Sequence, residues 1–315
     1  PEQQSVITLT HGGYIKRQPV EVYRTQRRGG RGISGVARKD EDFVEDMFIT
    51  STHDYVLFFT NRGKMYRMKG YEIPETGRAA RGSHVVNLLP IEKDEKISAM
   101  IRVDEVENDS YLVMVTRNGT IKRTALSAYR NVRKGGIIAI NLEEGDELAW
   151  VRNTTGEDDL IIATRQGVAI RFAESDVRPM GRTATGVRAI RLDEGDEVIA
   201  MATCEEGGYL LTVTENGQGR RTALGEYRTQ NRGGRGVRNY DCEGKGTLVA
   251  GVRVVGEEDD VILIADDGII IRIPCKQIAV QSRYGGGVHA MRLEEGSRVV
   301  ALARAPREED DENPD

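Results

Sequence analysis

Two seven-residue segments concentrate the chemistry of this chain: Gln26-Arg-Arg-Gly-Gly-Arg-Gly32 and its near copy Gln230-Asn-Arg-Gly-Gly-Arg-Gly236. Arginine supplies a planar, permanently charged fork of donors that matches phosphate. Glycine lets backbone N–H groups approach a ligand with no Cβ in the way. Together they describe a loop built to lie against a polyanion. Arg27, Arg28 and Arg31 are the candidates for direct phosphate contact, with Gly29, Gly30 and Gly32 permitting the turn and Gln26 donating to phosphate or bracing the loop. Arg232 and Arg235 are their counterparts in the copy, where Asn231 replaces one arginine. A second reading stays open, in which the first segment is a strap that closes one end of the fold on the other. The flanks recur too, as Tyr23-Arg-Thr and Tyr227-Arg-Thr, which makes both tyrosines candidate loop anchors.

A net charge of −5 looks wrong for a polyanion binder, but the charges segregate. Residues 307–315 alone carry −5, residues 14–39 carry +7, and residues 217–238 carry +5. A neutral body with a basic band can hold DNA, because the local potential governs. The tail from Glu308 to Asp315 is expected to be disordered, either as a solvating end or as a competitor of DNA for the basic band.

Other chemistries find little support. His11, His53, His84 and His289 are scattered, so no nucleophile–base pair emerges. Gly-Gly-Arg-Gly lacks the Lys-Ser/Thr of a phosphate-cradling nucleotide loop. Cys204, Cys242 and Cys275 have no metal spacing; an odd count without CxxC suggests a reducing cytoplasm, and neither metal nor cofactor is expected. No apolar run nears the ~20 residues of a membrane span. Pro1-Glu2 reads as a cut from a longer chain.

The loops must be positioned by something, and the chain supplies a repeat. A turn containing glycine and then a strand ending in Arg occur six times, anchored at Gly13, Gly63, Gly119, Gly167, Gly217 and Gly268. The fourth residue after each anchor is Arg: Arg17, Arg67, Arg123, Arg171, Arg221 and Arg272. Asn-Gly or Asp-Gly between β-branched runs marks hairpins. A second glycine follows each hairpin, at Gly32, Gly82, Gly136, Gly186, Gly236 and Gly287. Each repeat then offers two further short strands, and helical periodicity is absent. A period near 50 residues with about four strands per unit predicts an all-β, propeller-like wheel of six blades. The expected units are 5–50, 51–104, 105–155, 156–204, 205–256 and 257–305, followed by the tail at 306–315. The strand-end arginines have two open readings: outward at the rim toward DNA, or bonded to a neighbouring blade's carbonyl or acid. Lys16, Lys122 and Arg220, one residue earlier, are expected to be the more exposed.

The heptapeptide, the six repeats and the acidic tail resemble the C-terminal domains of DNA gyrase A subunits. The first segment matches that family's box at all seven positions, and the likeness covers essentially the whole chain. The resemblance implies a six-bladed β-pinwheel with four-stranded blades, a strand order unlike that of a propeller, and duplex DNA bent around the outer edge so that strand passage gains handedness. It implies a non-catalytic part of an ATP-dependent topoisomerase. The active-site tyrosine would lie in an upstream domain, ATP and Mg would be bound elsewhere, and the partners in a cytoplasmic A2B2 complex would be the remainder of the gyrase A polypeptide and the gyrase B polypeptide. The isolated domain is expected to be monomeric. The related topoisomerase IV domain, which shares the fold but has a degraded or missing box, is one alternative. A protein-interaction propeller that recruits an acidic partner and, with least support, a propeller hydrolase are the others.

Overall fold

A computed structural model describes residues 2–22, 38–39, 42, 44–77, 79–103 and 109–305. Each repeat begins with a hairpin whose turn holds the anchor glycine at positive φ, for example +89° at Gly13 and +91° at Gly167. In the first five repeats a threonine precedes the turn. Its hydroxyl accepts the N–H four residues on, at 3.1 Å for Tyr14 to Thr10 and 3.1 Å for Val168 to Thr164, which satisfies a donor the tight turn would strand.

Six four-stranded antiparallel sheets result, confirming the six-bladed expectation. One departure from the sequence reading defines the fold: the third strand of a repeat, the two-residue strand after its second glycine, does not join its own blade. The order in every sheet is fourth strand, first strand, second strand, then the two-residue third strand of the next repeat. Blade 1 contains Gln4–Thr10, Tyr14–Pro19 and Val44–Ser51, with Ser83–His84 from repeat 2. Blade 2 contains Tyr55–Thr60, Lys64–Lys69 and Ile97–Val103, with Ile137–Ile138. Blade 3 contains Tyr111–Thr116, Thr120–Ala125 and Leu148–Thr154, with Val187–Arg188. Blade 4 contains Asp159–Thr164, Val168–Ala173 and Val198–Thr203, with Val237–Arg238. Blade 5 contains Tyr209–Thr214, Gln218–Ala223 and Val249–Val255, with Val288–His289. Blade 6 contains Asp260–Ala265, Ile269–Pro274 and Val299–Ala305, and its borrowed strand is Arg38–Lys39 from repeat 1.

The fourth strands of consecutive repeats pack on one another and form the hub, so the borrowed strands lie at the periphery. Buried clusters fill the spaces between blades. Phe58 and Ile7 share one such cluster, and Val113, Ile162 and Phe172 share another. The continuous run Leu160-Ile-Ile-Ala is buried throughout, as a strand covered on both faces requires. Each fully buried Ile or Leu contributes about 1.5–3 kcal/mol of transfer free energy.

Candidate nucleic-acid interface

After the second hairpin strand, repeats 2 to 6 each send a connector across to the outer edge of the preceding blade. The connector of repeat 5 shows the construction. A one-turn helix at Leu224–Glu226 leads into it, and Gln230 N–H donates to Arg171 O of blade 4 at 2.7 Å. Gly236, at φ +76°, ends the crossing. A Cβ there would sit 2.4 Å from Ala169 O, so only glycine allows this approach. Tyr227 is 2% exposed and its hydroxyl donates to Asn239 Oδ1 at 2.5 Å, which makes it the anchor expected of it. Tyr23 and the first heptapeptide, Gln26, Arg27, Arg28, Gly29, Gly30, Arg31 and Gly32, lie outside the described residues. Covalent connectivity nevertheless fixes what they join: Tyr14–Pro19 belongs to blade 1 and Arg38–Lys39 to blade 6. The chain that closes the wheel therefore runs through that heptapeptide.

The strand-end arginines are bound up in the fold. Arg17, Arg123 and Arg221 are buried and donate Nε to Ile73 O, Val177 O and Ile278 O at 2.9, 2.8 and 2.7 Å, all on the next repeat's connector. Arg171 pairs with Asp159 at 3.0 Å and donates to Leu224 O at 3.0 Å. Arg67 donates to Arg130 O at 2.7 Å, and Arg272 pairs with Asp260 at 2.9 Å. Arg17, Arg67, Arg123, Arg171 and Arg221 thus bond a carbonyl of the next repeat's connector, whereas Arg272 pairs with an acid of its own blade.

The expected exposure of Lys122 and Arg220 is overturned, since both are fully buried. Lys122 Nζ inserts between Ala139 O and Arg182 O, and burial, with Arg182 adding repulsion, pulls its pKa down to about 7. Arg220 donates to Arg283 O, Gly285 O and Asn239 O at 2.9, 3.0 and 2.5 Å. The physical reason is shared: the donated strand brings connector carbonyls over the second strand, and these cations satisfy them. Lys16 is half-buried and reaches Ala80 O at 3.3 Å.

Exposed cations also stand on the connectors and the donated strands. Arg235 of the second heptapeptide is exposed, and Arg232 is half-buried, donating to Arg188 O at 2.5 Å. Reasoning from sequence missed Arg81, Arg133, Arg188, Arg191, Arg228 and Arg238, all exposed. A positional cue existed. Arg81 and Arg235 precede the second glycine of their repeats, and Arg188 and Arg238 follow it by two. Among the described residues no group of three or more His, Cys, Asp or Glu could hold a metal ion. The thiols of Cys204 and Cys275 are pushed up to about 12 and that of Cys242 to about 11, all mainly by burial, so none is poised as a thiolate. No helix among these residues is long and apolar enough to cross a membrane.

A family model described as the DNA gyrase C-terminal domain, beta-propeller, matches residues 4–51, 54–104, 110–155, 158–205, 208–255 and 259–306. The DNA gyrase A subunit of Halalkalibacterium halodurans is 58% identical over 311 residues, covering 99% of this chain and 37% of the relative. That of Clostridium acetobutylicum is 51% identical, covering 99% and 38%. The chain thus spans little more than a third of the length of these relatives. Among solved structures, the C-terminal domain of a DNA topoisomerase IV superposes with TM-score 0.84 at 28% identity, covering 97% of this chain and 94% of that one. A DNA gyrase A C-terminal domain gives 0.73 at 25%, covering 96% and 100%. With an exchanged outer strand in every sheet and a family match over nearly its whole length, the chain belongs to the β-propeller C-terminal domains of DNA gyrase.

Proposed function

We propose that the chain binds duplex DNA along its periphery and bends it around the wheel, as the wrapping module of a gyrase A polypeptide. The observation that carries this reading is the placement of exposed arginines: in a chain of net charge −5, Arg81, Arg188, Arg235 and Arg238 stand on connectors and donated strands at the outer edge. Guanidinium groups at successive blades offer phosphate contacts along an arc and read no base edges, so binding is sequence-tolerant. Bending a 20–30 bp site by 40–90° costs on the order of 1–6 kcal/mol, which contacts spread over several blades offset. The first heptapeptide adds Arg27, Arg28 and Arg31 at the connection between blades 1 and 6. A wrap of fixed hand biases strand passage toward negative supercoils in the whole enzyme. There, catalysis, ATP and Mg belong to other domains, and the partners are the remainder of the gyrase A polypeptide and the gyrase B polypeptide in the bacterial cytoplasm.

A second reading, a topoisomerase IV-type domain that binds DNA without strong wrapping, is favoured by the TM-score of 0.84 against 0.73. Ligation of nicked circular plasmid with the chain bound separates the two. Wild type should trap writhe of one sign, and a variant with alanine at Arg27, Arg28 and Arg31 should trap much less. Linking-number distributions equal to the protein-free control, with salt-sensitive binding intact, would support the second reading and sink the first.

A further inference from the structure

The two arginines of the second heptapeptide meet different surroundings, and the difference recurs around the wheel. Arg182, Arg232 and Arg283 each stand four residues before the last glycine of a connector, at Gly186, Gly236 and Gly287. Each donates Nη1 to the carbonyl of the second residue in the previous repeat's donated strand. Arg182 reaches Ile138 O, Arg232 reaches Arg188 O at 2.5 Å, and Arg283 reaches Arg238 O at 2.6 Å. Those strands are outer edges, where an unpaired carbonyl would otherwise face solvent. Arg232 Nε also points at Asp176 O, at 3.4 Å, so one fork spans two elements of repeat 4. Arg235 has no such role and is exposed.

We propose that Arg232 is a clasp that fixes the donated strand of blade 3, and with it the exposed Arg188 side chain, while Arg235 is the phosphate contact of the same loop. Arg283 plays the equivalent part for Arg238. Successive connectors are thereby chained edge to edge, and the rim presents its cations at a set pitch. The inference rests on the DNA-binding reading for its function but not for its structure. Lysine separates the two tasks. It keeps the positive charge that a phosphate contact needs, but it lacks the planar fork whose Nε and Nη1 hold Asp176 O and Arg188 O in one fixed geometry.

The test compares R232K, R232A, R235K and R235A in the 315-residue chain, by hydrogen exchange without DNA and by binding and plasmid ligation with it. In both Arg232 variants, exchange across residues 185–191 should rise several-fold, and trapped writhe should fall although the salt slope is kept. R235A should leave exchange unchanged and lower the slope of log K against log salt by about 0.9, the value for one phosphate, and R235K should match wild type. An R232K chain that exchanges like wild type overturns the clasp. Exchange that rises while trapped writhe holds at the wild-type value overturns its positioning role. If wild type binds no DNA, the functional reading fails and the exchange data alone judge the clasp.

Discussion

Lys122 and Arg123 are neighbours in sequence, yet both are buried, on opposite faces of one strand. Alternation along a strand identifies which residues share a face, and it did place the strand-end arginines with apolar neighbours. It cannot show what covers the other face, because Arg182 O and Val177 O, carbonyls that Lys122 and Arg123 satisfy, come from more than fifty residues on. A cation in such a place has a consequence for pH. The folded pKa of Lys122 is about 7 against an ordinary value of 10.5. Between these values the folded chain holds fewer protons than the unfolded one, so stability rises with pH across that window, and below about 7 the full penalty of the buried charge is present. Replacing Lys122 by Met removes the titration. The thermal midpoint of wild type relative to K122M should therefore climb from pH 7 to pH 10; a constant difference over that range would show that the ammonium does not titrate there.

The hairpins were legible because β-branched runs and turns with a regularly spaced glycine are local. The short strand after each second glycine was legible too, but not the blade it joins, because its pairing partners belong to another repeat. What did show was the second glycine, whose regular spacing marks where the connector meets its neighbour. Gly236→Ala should therefore be costly. The new methyl would stand 2.4 Å from Ala169 O on a backbone at φ +76°, and strain of that kind costs about 1–3 kcal/mol before any clash is relieved. Gly181, in the equivalent connector of repeat 4, has nothing within 4 Å of its built Cβ. Alanine there should change stability by less than about 0.5 kcal/mol. Denaturant unfolding of the two variants checks the pair, and equal losses would mean that the close approach is not what glycine serves.

Six similar repeats suggest six similar interfaces, and at the scale of the wheel the structure breaks that symmetry. Buried clusters fill the spaces between blades 1 and 2, 2 and 3, 3 and 4, 4 and 5, and 5 and 6; among the described residues none bridges blades 6 and 1. Val44 and Val198 occupy the same register, opposite Thr10 and Thr164, yet Val44 is 38% exposed and Val198 fully buried. Across the seam, Val300 of blade 6 is 44% exposed. What joins the seam among these residues is the pairing of Arg38–Lys39 with Ile269 and Ile270. No single repeat could reveal this, since the asymmetry belongs to the closure of a linear array, where terminal units have one neighbour to pack on instead of two. Blades 1 and 6 should then open before blades 3 and 4. Native-state hydrogen exchange should find the amides of Tyr14–Pro19 and Ile269–Pro274 at least about tenfold less protected than those of Thr120–Ala125 and Val168–Ala173, since about 1.4 kcal/mol of missing interface suffices for that factor. Uniform protection around the wheel would mean that the seam is packed as tightly as the rest. DNA that contacts the heptapeptide joining these two blades should narrow the gap, because a ligand that prefers the closed wheel stabilises the closure it touches.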